Sequence, residues 1–349
     1  MAGINIFSEV RVVLVEPKVS IRKEFLSVLE ELGCREIVET GNLKDAEEAF
    51  EEGSVDLLIG EASLPEGKLT NLINKVRHGN MGDNPFIIAM IMVNDSDQQT
   101  IREVIDCGAD DILIKPTTPE NLRQRLTLFA RGRKKFVVTT DYVGPDRRTG
   151  HRPGTMEIPQ IKVPNPLQIR VAGRSGSGFM ARAIASSVKQ VNEQKIERYA
   201  YSMNWMISRI NLVKKTKKEV EGVDINKEMV RLHEIAADCR SRLTGTCYQP
   251  VAEMFLTLDH MTAAQLKLDA PTEGKDFVLI TKLVKVIKRQ CDSLMGRTAP
   301  ETAEMGGEAA KGGDEDKPKA DADSGGTKIG SGRPETRLAA QSMEQKLSA

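Results

Sequence analysis

Three charged residues stand where short apolar runs stop. Glu16 follows Val10-Arg11-Val12-Val13-Leu14-Val15, and Glu61 follows Val55-Asp56-Leu57-Leu58-Ile59-Gly60. Lys115 follows Asp111-Ile112-Leu113-Ile114 and precedes Pro116. Runs this short and this rich in aliphatic residues read as buried strands. A side chain at the C-terminal end of a parallel strand lies where α/β folds concentrate their chemistry. Glu61 is therefore a candidate nucleophile, or a carboxylate that only occupies the position. The turn after it, through Pro65 and Gly67, marks the end of the strand.

No rival constellation stands out. The chain has no GxGxxG or GxxxxGK[ST] phosphate loop. Arg174-Ser175-Gly176-Ser177-Gly178 is a Gly/Ser linker without a His/Asp set to activate a serine. Five cysteines (Cys34, Cys107, Cys239, Cys247 and Cys291) are scattered, with no CxxC pair and no zinc-type spacing. They imply reduced thiols and a cytoplasmic protein.

The 349 residues suggest about two domains plus extensions. Fifty basic and fifty acidic side chains cancel, so bulk charge favours neither nucleic acid nor membrane. Aromatics make up only 4% and Trp205 is the single tryptophan, so the core must be mainly aliphatic. No stretch approaches the roughly 20 apolar residues of a membrane span, and the start lacks a signal-peptide pattern.

The elements that must position the three charged residues alternate regularly. Strands are expected at 10–15, 37–40, 56–59, 85–91 and 111–116. Amphipathic helices are expected at 20–32, 43–50, 69–76, 98–107 and 119–131, the last with Pro119 at its start. Five such units predict a parallel sheet covered on both faces, and right-handed crossovers make it doubly wound. Glu16, Glu61, the stretch after Met90 and Lys115 then share one edge.

Over roughly residues 9–130 this pattern resembles the receiver domain of bacterial two-component response regulators, with a flavodoxin/CheY-like sheet. The resemblance rests on Glu16-Pro17 with Arg22 five positions later, on Glu61 four residues before Pro65, and on Gly108 to Pro116, which is similar to the family's Gly-Ala…Lys-Pro ending. It implies that Glu61 occupies the phosphoacceptor position, that Glu16 and Pro17 form the acidic pocket, and that Lys115 is the site lysine. It also implies a hydroxyl residue within Met90–Val93, taken as Met92, and an aromatic switch at Ile112.

Four positions depart from the pattern. Receiver chemistry needs a short carboxylate, a divalent metal with several oxygen ligands, a hydroxyl and a lysine. Pro17 has no side-chain oxygen, Glu61 is a methylene longer than Asp, Met90–Val93 hold no hydroxyl, and Ile112 is not aromatic. These departures imply a phosphorylation-independent receiver without metal, with Mg2+ relevant only if the site is active. In one reading Glu61 reaches Lys115 and replaces the phosphoryl charge; in the other it is a solvated strand-end carboxylate.

Residues 132–180 read as an extended Pro/Gly-rich connector, resembling one found after orphan receivers and containing Gly144-Pro145-Asp146-Arg147-Arg148. It is either a solvated tether or a strap whose Tyr142, Ile161, Val163 and Leu167 dock in grooves. Residues 181–297 carry four helical patterns, at 181–220, 226–243, 249–268 and 275–295, predicting an all-α bundle. One helix is similar to a histidine phosphotransfer helix, but Ala237 stands where that resemblance implies the His, and His233 and His260 lie elsewhere. Residues 298–349 have the composition of a disordered tail.

The expected protein is thus a non-enzymatic adaptor in phosphorelay signalling. Its partners would be a histidine kinase, a phosphotransfer protein or another regulator, with no membrane span and no nucleic acid. Two alternatives are an active regulator that accepts a phosphoryl group at an atypical carboxylate and a helical scaffold that forms a homo-oligomer through the bundle.

Overall fold

The computed structural model describes residues 7–94, 97–148, 158–173, 178–216, 224–268, 272 and 274–296. The expected tail, from residue 298, lies outside the described residues, as does the Gly/Ser linker at 174–177. The first elements are β1 (Arg11–Val15), α1 (Val19–Glu31), β2 (Glu36–Thr40), α2 (Leu43–Glu51) and β3 (Leu57–Glu61). A small hairpin of β4 (Ser63–Leu64) and β5 (Gly67–Lys68) leads into α3 (Leu69–Arg77). Next come β6 (Ile88–Asn94), α4 (Gln98–Asp106), β7 (Asp111–Lys115) and α5 (Pro119–Arg131).

β1, β2, β3, β6 and β7 form one parallel sheet in the order β2-β1-β3-β6-β7. This is the doubly wound order whose strand C-termini meet at a topological switch point. Strand alternation divides the core. Val12, Leu14, Leu57, Ile59, Met90 and Met92 pack with α1 and α5, whereas Val13, Val15, Leu58, Ile91 and Val93 pack with α2, α3 and α4. Side-chain caps fix helix starts where the sequence supplies them. The Asn42 side chain accepts from Asp45 N, Asp97 from Thr100 N and Thr118 from Asn121 N.

The fourth large strand is shifted from its expected span of 85–91. It begins at Ile88, which pairs with Leu57, and runs to Asn94 beside Lys115. Pro85 has no N–H for a ladder, the Asn84 side chain takes Phe86 N at 3.0 Å, and Phe86 turns away to another core.

That other core belongs to the connector, which is not an extended tether where it is described. β8 (Phe136–Val138), β9 (Val143–Pro145) and β10 (Gln160–Ile161) form an antiparallel sheet in the order β10-β8-β9, and α6 (Pro166–Val171) comes after it. Ile161, Val163 and Leu167 are buried, in keeping with a docked strap. The docking rests on Asp110, just before β7. Its carboxylate takes Arg77 Nη2 at 2.7 Å on one oxygen and Arg133 Nη2 at 2.6 Å on the other, with all three side chains buried. The Phe136 ring lies 5.2 Å from the Arg77 guanidinium, 4.6 Å from that of Arg133, and edge-on to Phe86. Gly108, at φ +84°, lets the strands close in; a Cβ there would sit 2.4 Å from Val143 O.

The helical part consists of α7 (Phe179–Thr216), α8 (Ile225–Arg242), a 3₁₀ turn at Gln249–Val251, α9 (Ala252–Gln265) and α10 (Lys275–Leu294). Ile196, Tyr199, Met203, Met206, Ile207 and Ile210 of α7 share one core with Met229, Leu232 and Ile235 of α8, Phe255 and Leu258 of α9, and Phe277, Ile280, Val284 and Ile287 of α10. The first half of α7 does something else: Val191, with Ile184 and Val188, packs on the connector sheet. One helix of 38 residues therefore serves two cores.

Asp110→Ala would leave two buried guanidinium groups without their shared carboxylate. Urea unfolding should show a loss of about 3–5 kcal/mol, and Asp110→Asn, which keeps an acceptor, should lose less.

Candidate functional site

The sheet's C-terminal edge brings three of the residues singled out from the sequence into contact. Glu16 directly follows β1, Glu61 ends β3 and Lys115 ends β7. Lys115 Nζ donates to Glu16 Oε2 at 3.1 Å and to Glu61 Oε2 in a shorter contact. Glu16 is 1% exposed and the Lys115 side chain 15%, so the group is nearly shielded from water. Burial alone would lower the Lys115 pKa, but the bonds to Glu61 and Glu16 outweigh it and the net shift is upward. The ammonium is held charged between two carboxylates.

The remaining valences of Glu16 are also taken. Its Oε1 accepts from Lys18 N at 2.9 Å, and its main-chain oxygen accepts from Arg22 Nη1 at 2.6 Å. Arg22 in turn pairs with Glu39 at 3.1 Å. Pro17 contributes no oxygen. A magnesium ion demands near-octahedral oxygen ligation, and a lysine bonded to both carboxylates with a proline beside them does not fit one. Among the described residues no group of three His, Cys, Asp or Glu is arranged to hold a metal.

The two remaining sequence-predicted positions fall on opposite faces of the sheet. Met92 is fully buried in the core with α1 and α5, while Ile112 borders the core with α2, α3 and α4. The residues of β6 that share the Ile112 face are Ala89, Ile91 and Val93, none with a hydroxyl. Ala237 is exposed on α8. His233 is engaged with Asp259 Oδ1 at 3.2 Å, so neither supplies a free imidazole at that place.

Sequence reasoning missed a second polar cluster, where α3, the connector and the bundle meet. His78 caps the C-terminus of α3; its carbonyl accepts from Arg242 Nη2 at 3.0 Å and its Nδ1 contacts Lys195 Nζ. Asp238 accepts from Arg242 Nε at 2.8 Å and from the Tyr199 hydroxyl at 2.7 Å. Burial, reinforced by Arg242, pulls the Lys195 pKa down to about 7. Burial, then Lys195 and Arg242, bring that of His78 to about 4. A cavity of about 350 Å³, lined by Asp141, Arg231 and Asp238 among others, opens beside them. The available signal was Lys195 itself, a cation within the apolar stripe of Val191, Ile196 and Tyr199.

Comparison with known proteins bears on the N-terminal third of the chain. Residues 12–127 match the response regulator receiver domain. The transcriptional regulatory protein DpiA of Escherichia coli K12 is 34% identical over 110 residues, covering 31% of this chain and 46% of DpiA. A cyclic di-GMP phosphodiesterase of Thermotoga maritima is 24% identical over 131 residues, covering 38% of this chain and 34% of that protein. The chain thus spans about half the length of DpiA and a third of the phosphodiesterase. Among solved structures, the chemotaxis response regulator CheY4 of Vibrio cholerae is 20% identical, covers 34% of this chain and 97% of its own, and gives a TM-score of 0.30.

Two measurements probe these clusters. Lys115→Met leaves the buried Glu16 carboxylate without its cation and should cost about 2 kcal/mol in denaturant unfolding. For His78, the unfolded imidazole binds its proton near pH 6.5 and the folded one only near pH 4. The unfolded state therefore holds more protons between those values, and stability is lost as pH falls through the window. The gap between the wild-type and His78→Gln stability curves should change across it by up to about 3 kcal/mol.

Proposed function

From the premise that residues 12–127 are a response regulator receiver domain, we propose that the chain acts in two-component signalling as a phosphorylation-independent, non-enzymatic, cytoplasmic adaptor. Its partners are a histidine kinase, a phosphotransfer protein or another regulator. The observation that carries this reading is the Lys115 ammonium bonded to both Glu16 and Glu61.

Phosphorylation normally works by adding charge that new contacts then satisfy. Here a carboxylate and an ammonium already satisfy one another at that place. Glu61 would have to break its bond to Lys115 before it could attack a phosphodonor, and no metal would neutralise the incoming phosphoryl oxygens. The hydroxyl and aromatic partners through which a phosphoryl group would be sensed are Val93 or Met92 and Ile112, all purely apolar. The pair holds the edge in one arrangement, and a surface that does not switch suits constant binding.

The docked connector supports an adaptor role from the opposite edge. Arg133, Phe136 and Arg170 couple the receiver to the connector and α6 through buried contacts, including Arg170 Nε to Asp56 Oδ2 at 3.0 Å. Receiver and bundle thus present their surfaces in a set relation rather than through a loose tether.

Purified protein incubated with a small phosphodonor and magnesium should show no phosphate mass shift. A stable adduct in the wild type that is absent from Glu61→Ala would establish the active-regulator alternative instead.

A further inference from the structure

The outward face of α10 carries four exposed cations, Lys275, Lys282, Lys285 and Arg289, and three exposed aliphatics. Val278 is 51% exposed, Leu279 50% and Val286 39%. The helix's core face, Phe277, Ile280, Val284, Ile287 and Cys291, is fully used in the bundle, so the outward strip is a second, independent surface. Lys275, Leu279, Lys282, Val286 and Arg289 recur at alternating intervals of four and three residues, the spacing of a heptad seam.

The charge on this strip is not balanced locally. None of its four cations pairs with a carboxylate among the described residues, whereas Lys288, on the flank, pairs with Asp292 at 2.5 Å. The cations of the neighbouring helix α8 are all paired: Lys227 with Asp224, Arg231 with Asp141, Arg240 with Asp259 and Arg242 with Asp238. Of the acids of α10, Asp276 lies off the seam, and Asp292, one heptad after Lys285, is already taken by Lys288.

We propose that this strip is the docking surface for an acidic amphipathic helix of a partner protein, with aliphatic residues opposite Leu279 and Val286 and carboxylates opposite the cations. Charge complementarity selects an anionic occupant, and the interleaved aliphatics select a helix. A nucleic-acid backbone offers no apolar surface to cover Val278, Leu279 and Val286. A helix lying on a lipid surface buries an apolar face opposite a cationic one, whereas Leu279 and Val286 alternate with cations along a single strip. From Lys275 to Arg289 the strip runs about 21 Å at 1.5 Å per residue, enough for two heptads of a partner. The assignment stands whether or not Glu61 accepts phosphate.

The test uses the full chain and a labelled synthetic 21-residue helix with leucine at one seam position and glutamate at the other, glutamates also flanking. A copy with lysine for every glutamate, a short DNA duplex and vesicles with anionic lipid serve as comparisons. Fluorescence anisotropy should show binding of the acidic helix that weakens as salt is raised. Lys282→Glu/Lys285→Glu/Arg289→Glu should weaken it by about tenfold, the sum of three exposed pairs. Leu279→Ser/Val286→Ser should also weaken it, with circular dichroism unchanged in both variants. Equal binding of the lysine copy, unchanged binding by the variants, no binding up to about 1 mM, or tighter binding of DNA or vesicles through the same residues would each overturn the proposal.

Discussion

The seating of the connector on the receiver depends on one buried carboxylate. Asp110 accepts from two arginines that come from different parts of the chain, Arg77 at the end of α3 and Arg133 at the start of the connector. Two like charges can be buried side by side only because a shared anion sits between them, and the Phe136 ring fills the remaining space. The arginines also donate to main-chain oxygens: Arg77 to Gly108 and Ile87, and Arg133 to Phe86 and Pro164. Those carbonyls lie at strand starts and loops, where no ladder would satisfy them. The connector sheet is thereby seated against the N-terminal edge of the parallel sheet.

The two edges of the sheet thus have separate tasks. At the C-terminal edge Lys115, Glu16 and Glu61 neutralise one another. At the N-terminal edge Asp56 and Asp110 receive Arg170, Arg77 and Arg133, and the connector, α6 and α7 close over them. The bundle reaches the receiver on this side too, through Arg242 and Lys195 on His78. Among the described residues, these ties between the receiver and the rest of the protein lie away from the site edge. A bound partner at one edge need not disturb the other.

The receiver was legible because its signals are local. Short β-branched runs, helices at period 3.6, and charged residues at strand ends place Glu16, Glu61 and Lys115 together once the doubly wound order is inferred. The four bundle helices were legible for the same reason, and their observed bounds lie close to the expected ones. The fourth strand's start was misread because Pro85-Phe86-Ile87 is as apolar as the strand proper, and only pairing with β3 distinguishes them. The connector was misread because three short strands separated by Pro and Gly carry no periodicity long enough to register.

By itself, then, the sequence determined the five-stranded α/β unit, the helical region and the identity of the residues at the site, including the absence of a second acid at Pro17. Only the tertiary structure decided that Lys115 bonds both carboxylates, that Met92 and Ile112 face opposite sides, and that Lys195 meets His78. The physical reason is range. Strand and helix patterns arise between neighbours a few residues apart, whereas Glu16 and Lys115 are 99 positions apart and Lys195 and His78 are 117. Glu61 keeps its place at the end of β3 through local pattern, and acquires its partner only through the fold.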